Sequence, residues 1–321
     1  QRRMREHDLG GRYCLLYQDP AGDEHNLDTI RCVGISKREL LDRLAGPSTL
    51  LNLSYSIHPP LLFRFERRLF CDLDPSEILY WMTKMELGQS HHHEFWTIGL
   101  NVNATDCQLP KTGLRWKTFY PLADTRLLQR KARPALPKLT TIGQWYWDGI
   151  VEVAGEFPDL SKRVAFEPYL DLPKLVPDAK FELAMNIAAD DPERSRLRSR
   201  GWHLVDPHRV ARTPGIYRKY LADALAEFTA IKGVDVTWRT GWVSDRAAAF
   251  LAMGRPVITE ETGAGKYLPP ESGFRFVQDA TEAESAIREV IRDWPRLSRE
   301  ARNCAVEVFD SAKNLRTILG W

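Results

Sequence analysis

The sequence lacks any long apolar run. No stretch approaches the roughly 20 residues that a helix needs to cross a bilayer, and no signal peptide is visible. The chain opens on Gln1-Arg2-Arg3 rather than on an initiator methionine. Paired cysteines are also missing. Cys14, Cys32, Cys71, Cys107 and Cys304 are odd in number and include no Cys-x-x-Cys. This argues against a zinc site or a disulfide framework and for a reducing, cytoplasmic setting. Charge of one sign is absent too. With 45 basic and 43 acidic residues the formal net charge is +2, which gives no electrostatic reason to expect nucleic acid or an anionic membrane as partner. There is no internal repeat and no low-complexity tract. Nor is there a clustered set of metal ligands. His91, His92 and His93 are adjacent, and neighbours in a strand point to opposite faces, so they do not converge on one ion. They form either a polar turn or, through His92 or His93, a general base.

What is present is a chain of 321 residues, a length that suits two α/β domains. The C-terminal part alternates strands and helices. Strands are expected at 139–145, 181–188, 202–205, 256–258 and 273–277, and Val234, Val236 and Trp238 alternate as a further strand. Helices are expected from Ser161 to Leu172, from Asp191-Pro192, from Thr213-Pro214 to about Lys232, from Asp245 to Met253, and from a capping box at 281–284, with two more at the end. In the N-terminal part strands are expected at 13–17, 49–55, 68–72 and 95–100, and helices at 37–44 and 75–84. This spacing means βαβ units and parallel sheets. The proline-bearing, aperiodic stretch 126–138 reads as a connection between an N-terminal domain over 1–125 and a C-terminal domain over 139–305. No Gly-rich loop precedes Gly10, so the N-terminal domain reads as incomplete.

In open parallel sheets ligands bind beyond the carboxyl ends of the strands, and the crevice between two such sheets is the natural site. The segment Thr240-Gly-Trp-Val-Ser-Asp-Arg246 stands at such an end. Gly241 permits a tight turn and a helix starts near Ser244. Its free amides and dipole attract a phosphate, to which Ser244 adds a hydroxyl and Arg246 a charge. Equally, Ser244 and Asp245 are an ordinary cap and Arg246 a solvated side chain. The loop 259–265 offers carboxylates, Thr262 and Gly263 for sugar hydroxyls, or is a flexible acidic loop. Lys162 opposes the dipole of the helix that it starts, which charge compensation of a diphosphate would explain; otherwise it faces solvent. His203 and Asp206 flank a strand end, where His203 is either near a nucleotide base or a core histidine. Asp72 follows a strand in Leu69-Phe-Cys-Asp-Leu-Asp-Pro75 and is a candidate for acceptor contact. Asp74 and Glu77 fit a helix cap.

The segments GWHLVDP, EF-x-x-x-K (Glu227 to Lys232) and TGWVSDRAAAFLAMGRPVITEETG resemble the C-terminal half of GT-B-fold glycosyltransferases. The pattern is closest to a bacterial group with G-W-x-S-D-R-x-x-x-x-L-A-x-G-R-P-V, to which LFCDLDP, TIGLN, TIGQW and the pair Lys162 and Asp171-Leu-Pro173 also conform. The resemblance implies two Rossmann-like domains facing a cleft, with the final helix (306–321) crossing back to the first domain. It implies a metal-independent transfer of sugar from a nucleoside diphosphate sugar, as co-substrate and not as bound cofactor, to an unidentified acceptor. By the same resemblance Gly241, Ser244 and Asp245 lie at the diphosphate and sugar, Thr262 and Gly263 line the sugar pocket, Lys162 neutralises the diphosphate, and His203, Val205 and Asp206 lie near the base. Val243 and Ala247 depart from the plant-type signature, which has Asn and Glu there. Two other readings stand beside it: a nucleotide-sugar epimerase on the same fold, and a non-catalytic binding or scaffold member. The transferase reading leans on amides of residues 241–246 that are open to a ligand.

Overall fold

The computed structural model describes residues 4–5, 8–18 and 26–321, and the chain divides into two compact units. The first comprises residues 1–73, 84–96 and 113–117; the second comprises 74–83, 97–112 and 118–321.

In the first unit β1 (Cys14–Gln18) pairs antiparallel with β2 (Ile30–Gly34). Helix α1 (Lys37–Leu44) follows, capped by the Ser36 hydroxyl on the Glu39 amide. A separate four-stranded sheet has the order β3-β4-β5-β6, formed by β3 (Thr49–Leu53), β4 (Arg67–Asp72), β5 (Glu94–Thr97) and β6 (Trp116–Thr118). Strands β3 and β4 are parallel, with Leu51 opposite Leu69.

The second unit takes in α2 (Pro75–Met82) and is built on six parallel strands: β7 (Lys138–Gln144), β8 (Lys180–Asn186), β9 (His203–Val205), β10 (Ala226–Thr229), β11 (Val257–Glu260) and β12 (Phe274–Val277). Their order is β12-β11-β10-β7-β8-β9. This is the doubly wound order, in which the chain leaves β7 in one direction and returns to its other side with β10. The crossovers are α3 (Lys162–Ala165), α4 (Leu172–Leu175), α5 (Pro192–Ser199), α6 (Pro207–Val210), α7 (Pro214–Ala222), α8 (Gly233–Trp238), α9 (Asp245–Ala252) and α10 (Ala280–Arg292). Helices α11 (Trp294–Cys304) and α12 (Ser311–Leu319), joined by a π-helical turn, close the chain. The central strands are covered on both faces, so their residues are buried in continuous runs rather than alternately. Trp145, Phe166, Phe181, Trp202 and Phe228 fill one core cluster, and Phe250, Leu251 and Phe309 a second.

Several expectations are corrected. The helix expected from Ser161 to Leu172 is three pieces: α3, a 3-10 turn at Glu167–Tyr169, and α4. Pro168 and Pro173 each sit at the start of a new turn, where a missing amide costs nothing. The long helix from Pro214 ends at Ala222, and residues 226–229 form β10 instead. Leu225 and Phe228 match a helical stripe by spacing, but they are wholly or almost wholly buried along with Ala224, Ala226 and Glu227. The alternating Val234, Val236 and Trp238 form a helix, with Val234 and Trp238 sharing its buried face at i and i+4. Helix α10 is capped two residues earlier than expected: Asp279 accepts from the Glu282 amide, and Glu282 reaches back to the Gln278 amide.

Candidate functional site at the carboxyl ends of β7 and β10

The direction of winding reverses between β7 and β10. In a doubly wound sheet the helices that follow the two strands flanking such a reversal leave to opposite sides, and ligands bind where they part, at the carboxyl ends. Two cations reach that point. Lys162, at the start of α3, donates from Nζ to the Ala230 carbonyl just past β10 and lies 3.4 Å from Thr229 Oγ1. Arg246, in the first turn of α9, donates from Nη1 to the Ile142 carbonyl of β7 at 2.8 Å. Its Nε donates to Glu227 of β10, and Nη2 lies 3.4 Å from Thr229 Oγ1. Glu227 is 0% exposed and also accepts from the Thr141 hydroxyl at 2.9 Å.

These groups are not electrostatically equivalent. Burial disfavours the charge on Arg246, but Glu227 more than restores it and holds the guanidinium charged. Among the described residues no carboxylate forms an ion pair with Lys162. Burial, and then the positive charge of Arg246, bring its ammonium down to about 7, against the weaker pull of Glu227 and Glu260. A lysine poised in this way gains charge readily when an anion arrives. Glu260, at the end of β11, accepts from the Ile231 amide at 2.7 Å and the Tyr169 hydroxyl at 3.1 Å, and burial raises its carboxyl above the usual range.

A second polar cluster lies on the next residues. Lys232 Nζ is 2.6 Å from both Asp74 and Glu77, and it sits 5.2 Å from the Trp147 ring centre. Asp74 makes no side-chain cap on α2, so the motif read as a helix cap serves an ion pair instead. Asp235, fully buried, accepts from Thr240 Oγ1 at 2.7 Å and Ser76 Oγ at 3.1 Å; burial first, then the charge of Asp74, raises its carboxyl.

The loop 240–246 is a packed joint, and here the sequence reading is corrected. The Gly241 amide is taken by the Thr262 carbonyl at 2.7 Å, and its carbonyl by the Leu100 amide at 3.2 Å. The Trp242 amide lies 3.3 Å from Thr240 Oγ1, and the Thr262 hydroxyl donates to the Trp242 carbonyl. Gly241, Thr262 and Gly263 meet around Asn101, whose side-chain amide donates to the Arg239 carbonyl at 2.7 Å. Thr262 is 0% exposed. Ser244 is the α9 cap, accepting from the Ala247 amide at 2.9 Å, and Asp245 is exposed. Arg246 is an internal ion-pair partner and not a solvated side chain. The acidic loop after β11 is fastened by its own carboxylates: Glu261 accepts from the Gly263 and Gly265 amides.

Val205 and Asp206 stand at the carboxyl end of β9, where Asp206 caps α6 through the His208 amide. His203 is at the amino end of that strand, half-exposed and 3.9 Å from Glu182, so it is neither a core histidine nor at the ligand end. In the first unit Asp72 is 0% exposed, out of an acceptor's reach. His92 is buried with both ring nitrogens engaged, Nε2 with Asn52 at 3.1 Å and Nδ1 with the Gly88 carbonyl at 2.7 Å, and burial lowers its pKa. His93 lies 2.8 Å from an Arg68 guanidinium nitrogen. Both have the surroundings of structural histidines. Among the described residues no group of three or more His, Cys, Asp or Glu side chains is placed to hold a metal ion, and no helix is long and apolar enough to cross a membrane.

No protein-family model and no curated protein matches the chain. Solved structures do. The chain is similar to the sucrose-phosphate synthase of Thermosynechococcus elongatus (TM-score 0.54, 13% identity, covering 94% of this chain and 86% of that one). It is similar to HepE of Anabaena in complex with UDP (TM-score 0.56, 10% identity, 88% and 80%). It is also similar to the pneumococcal O-GlcNAc transferase GtfA in complex with UDP and GlcNAc (TM-score 0.51, 10% identity, 95% and 63%). The chain spans about half, 49%, of the TarM chain, which it also matches. At such low identity the likeness to the sucrose-phosphate synthase, HepE and GtfA structures, which are GT-B glycosyltransferases, shows the fold alone: an α/β protein with parallel sheets.

Proposed function

We propose that this protein transfers a glycosyl group from a nucleoside diphosphate sugar, a uridine one, to an acceptor hydroxyl. The Gly241 and Trp242 amides on which the sequence reading leaned are taken, so the observation that carries the reading is the half-buried Lys162 ammonium at the carboxyl ends of β7 and β10, with Arg246 beside it. Glycosyl transfer from such a donor builds negative charge on the departing diphosphate. Fixed cations in a site shielded from water stabilise that charge without reorganising. Lys162 takes the diphosphate, and Arg246, already neutralised by Glu227, fixes the crevice wall. In this reading the protein's own cations meet the leaving group's charge and no bound metal is called on. The donor domain spans 139–305, the base lies toward Val205 and Asp206, and the exposed Asp245 accepts from sugar hydroxyls. The doubly wound sheet supports the reading, as do the neighbours: HepE is complexed with UDP and GtfA with UDP and GlcNAc.

Uridine diphosphate should raise the melting temperature of the intact protein, and Lys162→Ala should abolish that rise. Incubation with UDP-sugars should release the diphosphate only when an acceptor is present. Conversion of the donor to its epimer without acceptor would mark an epimerase instead, and the absence of any nucleotide response would end both enzyme readings.

A further inference from the structure

The first unit contains a cavity of about 390 Å³, within the size range of small-ligand sites. Tyr17, Tyr55, His58 and His91 supply its rings, and Pro59 and Pro60 are among its apolar walls. No carboxylate, lysine or arginine is among the described lining residues.

Tyr55 lines this cavity, and its placement is over-determined. Ser54 and Tyr55 both lie in the left-handed region, with φ of 47° and 56°, a conformation that a non-glycine residue holds only when its surroundings impose it. The surroundings are visible. The Tyr55 hydroxyl lies 3.0 Å from His91 Nδ1. The ring packs edge-on to His92 at 5.8 Å and near Phe70 at 6.2 Å. It also occupies the space where Gly88 has no side chain: a β-carbon there would lie 2.7 Å from the ring. His58 stands 4.3 Å from the Tyr55 ring and is itself exposed. Backbone strain, a glycine and a buried histidine all hold one aromatic face at a cavity wall.

We propose that this cavity binds an uncharged, hydroxyl-bearing aromatic molecule, and that this is the chemical class of the acceptor. Ring faces and proline edges suit a flat apolar body by offset stacking. The His58 and His91 imidazoles and the Ser56 hydroxyl supply a few polar contacts that orient a hydroxyl. The assignment to an acceptor rests on the glycosyl-transfer reading; the binding itself does not.

Calorimetry on the intact protein tests it, with 2-naphthol as the aromatic probe and maltotriose as the saccharide control. The naphthol should bind and maltotriose should not. Tyr55→Ala should weaken naphthol binding at least tenfold, and His58→Ala, at an exposed position with little influence on folding, several-fold. Lys162→Ala should lose the nucleotide response and keep the naphthol. Naphthol affinity unchanged in His58→Ala and Tyr55→Ala, or saccharide binding in preference to naphthol, would overturn the proposal. Naphthol binding in a protein that responds to no nucleotide would retain the pocket and remove the transferase reading.

Discussion

A β-carbon on Gly241 would lie 2.3 Å from the backbone nitrogen of Asn101. The two loops approach this closely because the Asn101 amide donates to the Thr240 carbonyl at 3.1 Å, next to the bond from the Leu100 amide to Gly241. Gly241 also has a φ of +77°, which costs an L residue about 1–2 kcal/mol by itself. Gly241→Ala should therefore lose at least about 3 kcal/mol, since the obstruction is backbone and cannot swing away. Gly143→Ala is the control. Its nearest neighbour would be Met185 Sδ at 3.7 Å, ordinary contact, and the change should stay within about 0.5 kcal/mol. Urea unfolding of both variants decides; equal losses would mean that the close approach does not explain the glycine.

The pair formed by Arg246 and Glu227 should behave as a unit. Glu227 is 0% exposed and Arg246 14%, so removing one partner leaves the other charged and desolvated. Arg246→Met should cost about 3–5 kcal/mol, whereas Arg246→Met with Glu227→Leu should recover a large part of it, because an apolar pair of similar volume avoids the desolvation penalty. A double-mutant cycle in denaturant unfolding measures the coupling. Strict additivity of the two single losses would refute the ion pair as drawn.

The sequence made some of this architecture plain and hid the rest for physical reasons. Capping residues marked the starts of α5 and α7 correctly, because Asp191 and Thr213 accept from the Glu193 and Ile216 amides as their types suggest. Strands β7 and β8 were legible as apolar runs with turn residues after them. Strand β10 was not, because a strand covered on both faces shows no alternation, and its Phe228 together with Leu225 just before it fell on the stripe of the preceding helix. At the site, Lys162 and Arg246 stood out by position. Their surroundings did not: Asp74 and Lys232 are 158 residues apart in the chain, and Glu227 was read only as the start of the EF-x-x-x-K motif in a helix. Asn101 went unremarked, although TIGLN had been noticed. Gly241 was read as permitting a tight turn, and it also makes room for Asn101. A glycine declares a close approach but not what approaches.

Asp235 gives the folded protein a distinctive pH response. Burial and then Asp74 raise its carboxyl above the unfolded value of about 4. Between those two values the native state keeps a proton that the unfolded chain has released. The stability tied to this proton is whole below about pH 4 and is lost as pH rises through the folded value. Asp235→Asn carries no such proton and still offers an oxygen to one of the Thr240 and Ser76 hydroxyls and an amide N–H to the other. The variant should gain on the parent as pH rises from about 4, and the melting-temperature difference between the two proteins, followed from pH 4 to 8, reads this directly. A difference that does not change with pH would mean that Asp235 is ionised in the folded state.

Lys162 should make nucleotide binding proton-coupled. With its ammonium at about 7 in the unliganded protein, the free site is half neutral near that pH and mostly neutral above it. A diphosphate in contact favours the charged form and lifts the value, so binding takes up a proton on the alkaline side. Affinity for uridine diphosphate should then be nearly flat below pH 6.5, apart from the ligand's own titration. It should fall by up to about tenfold per pH unit above 7, until the bound-state value is reached. Calorimetry at pH 8 in two buffers of different ionisation enthalpy should show the uptake as a difference in observed heat. Lys162→Arg, charged throughout this range, should abolish both the slope and the buffer dependence. A wild-type affinity that holds level from pH 7 to 9 would place the diphosphate away from this lysine.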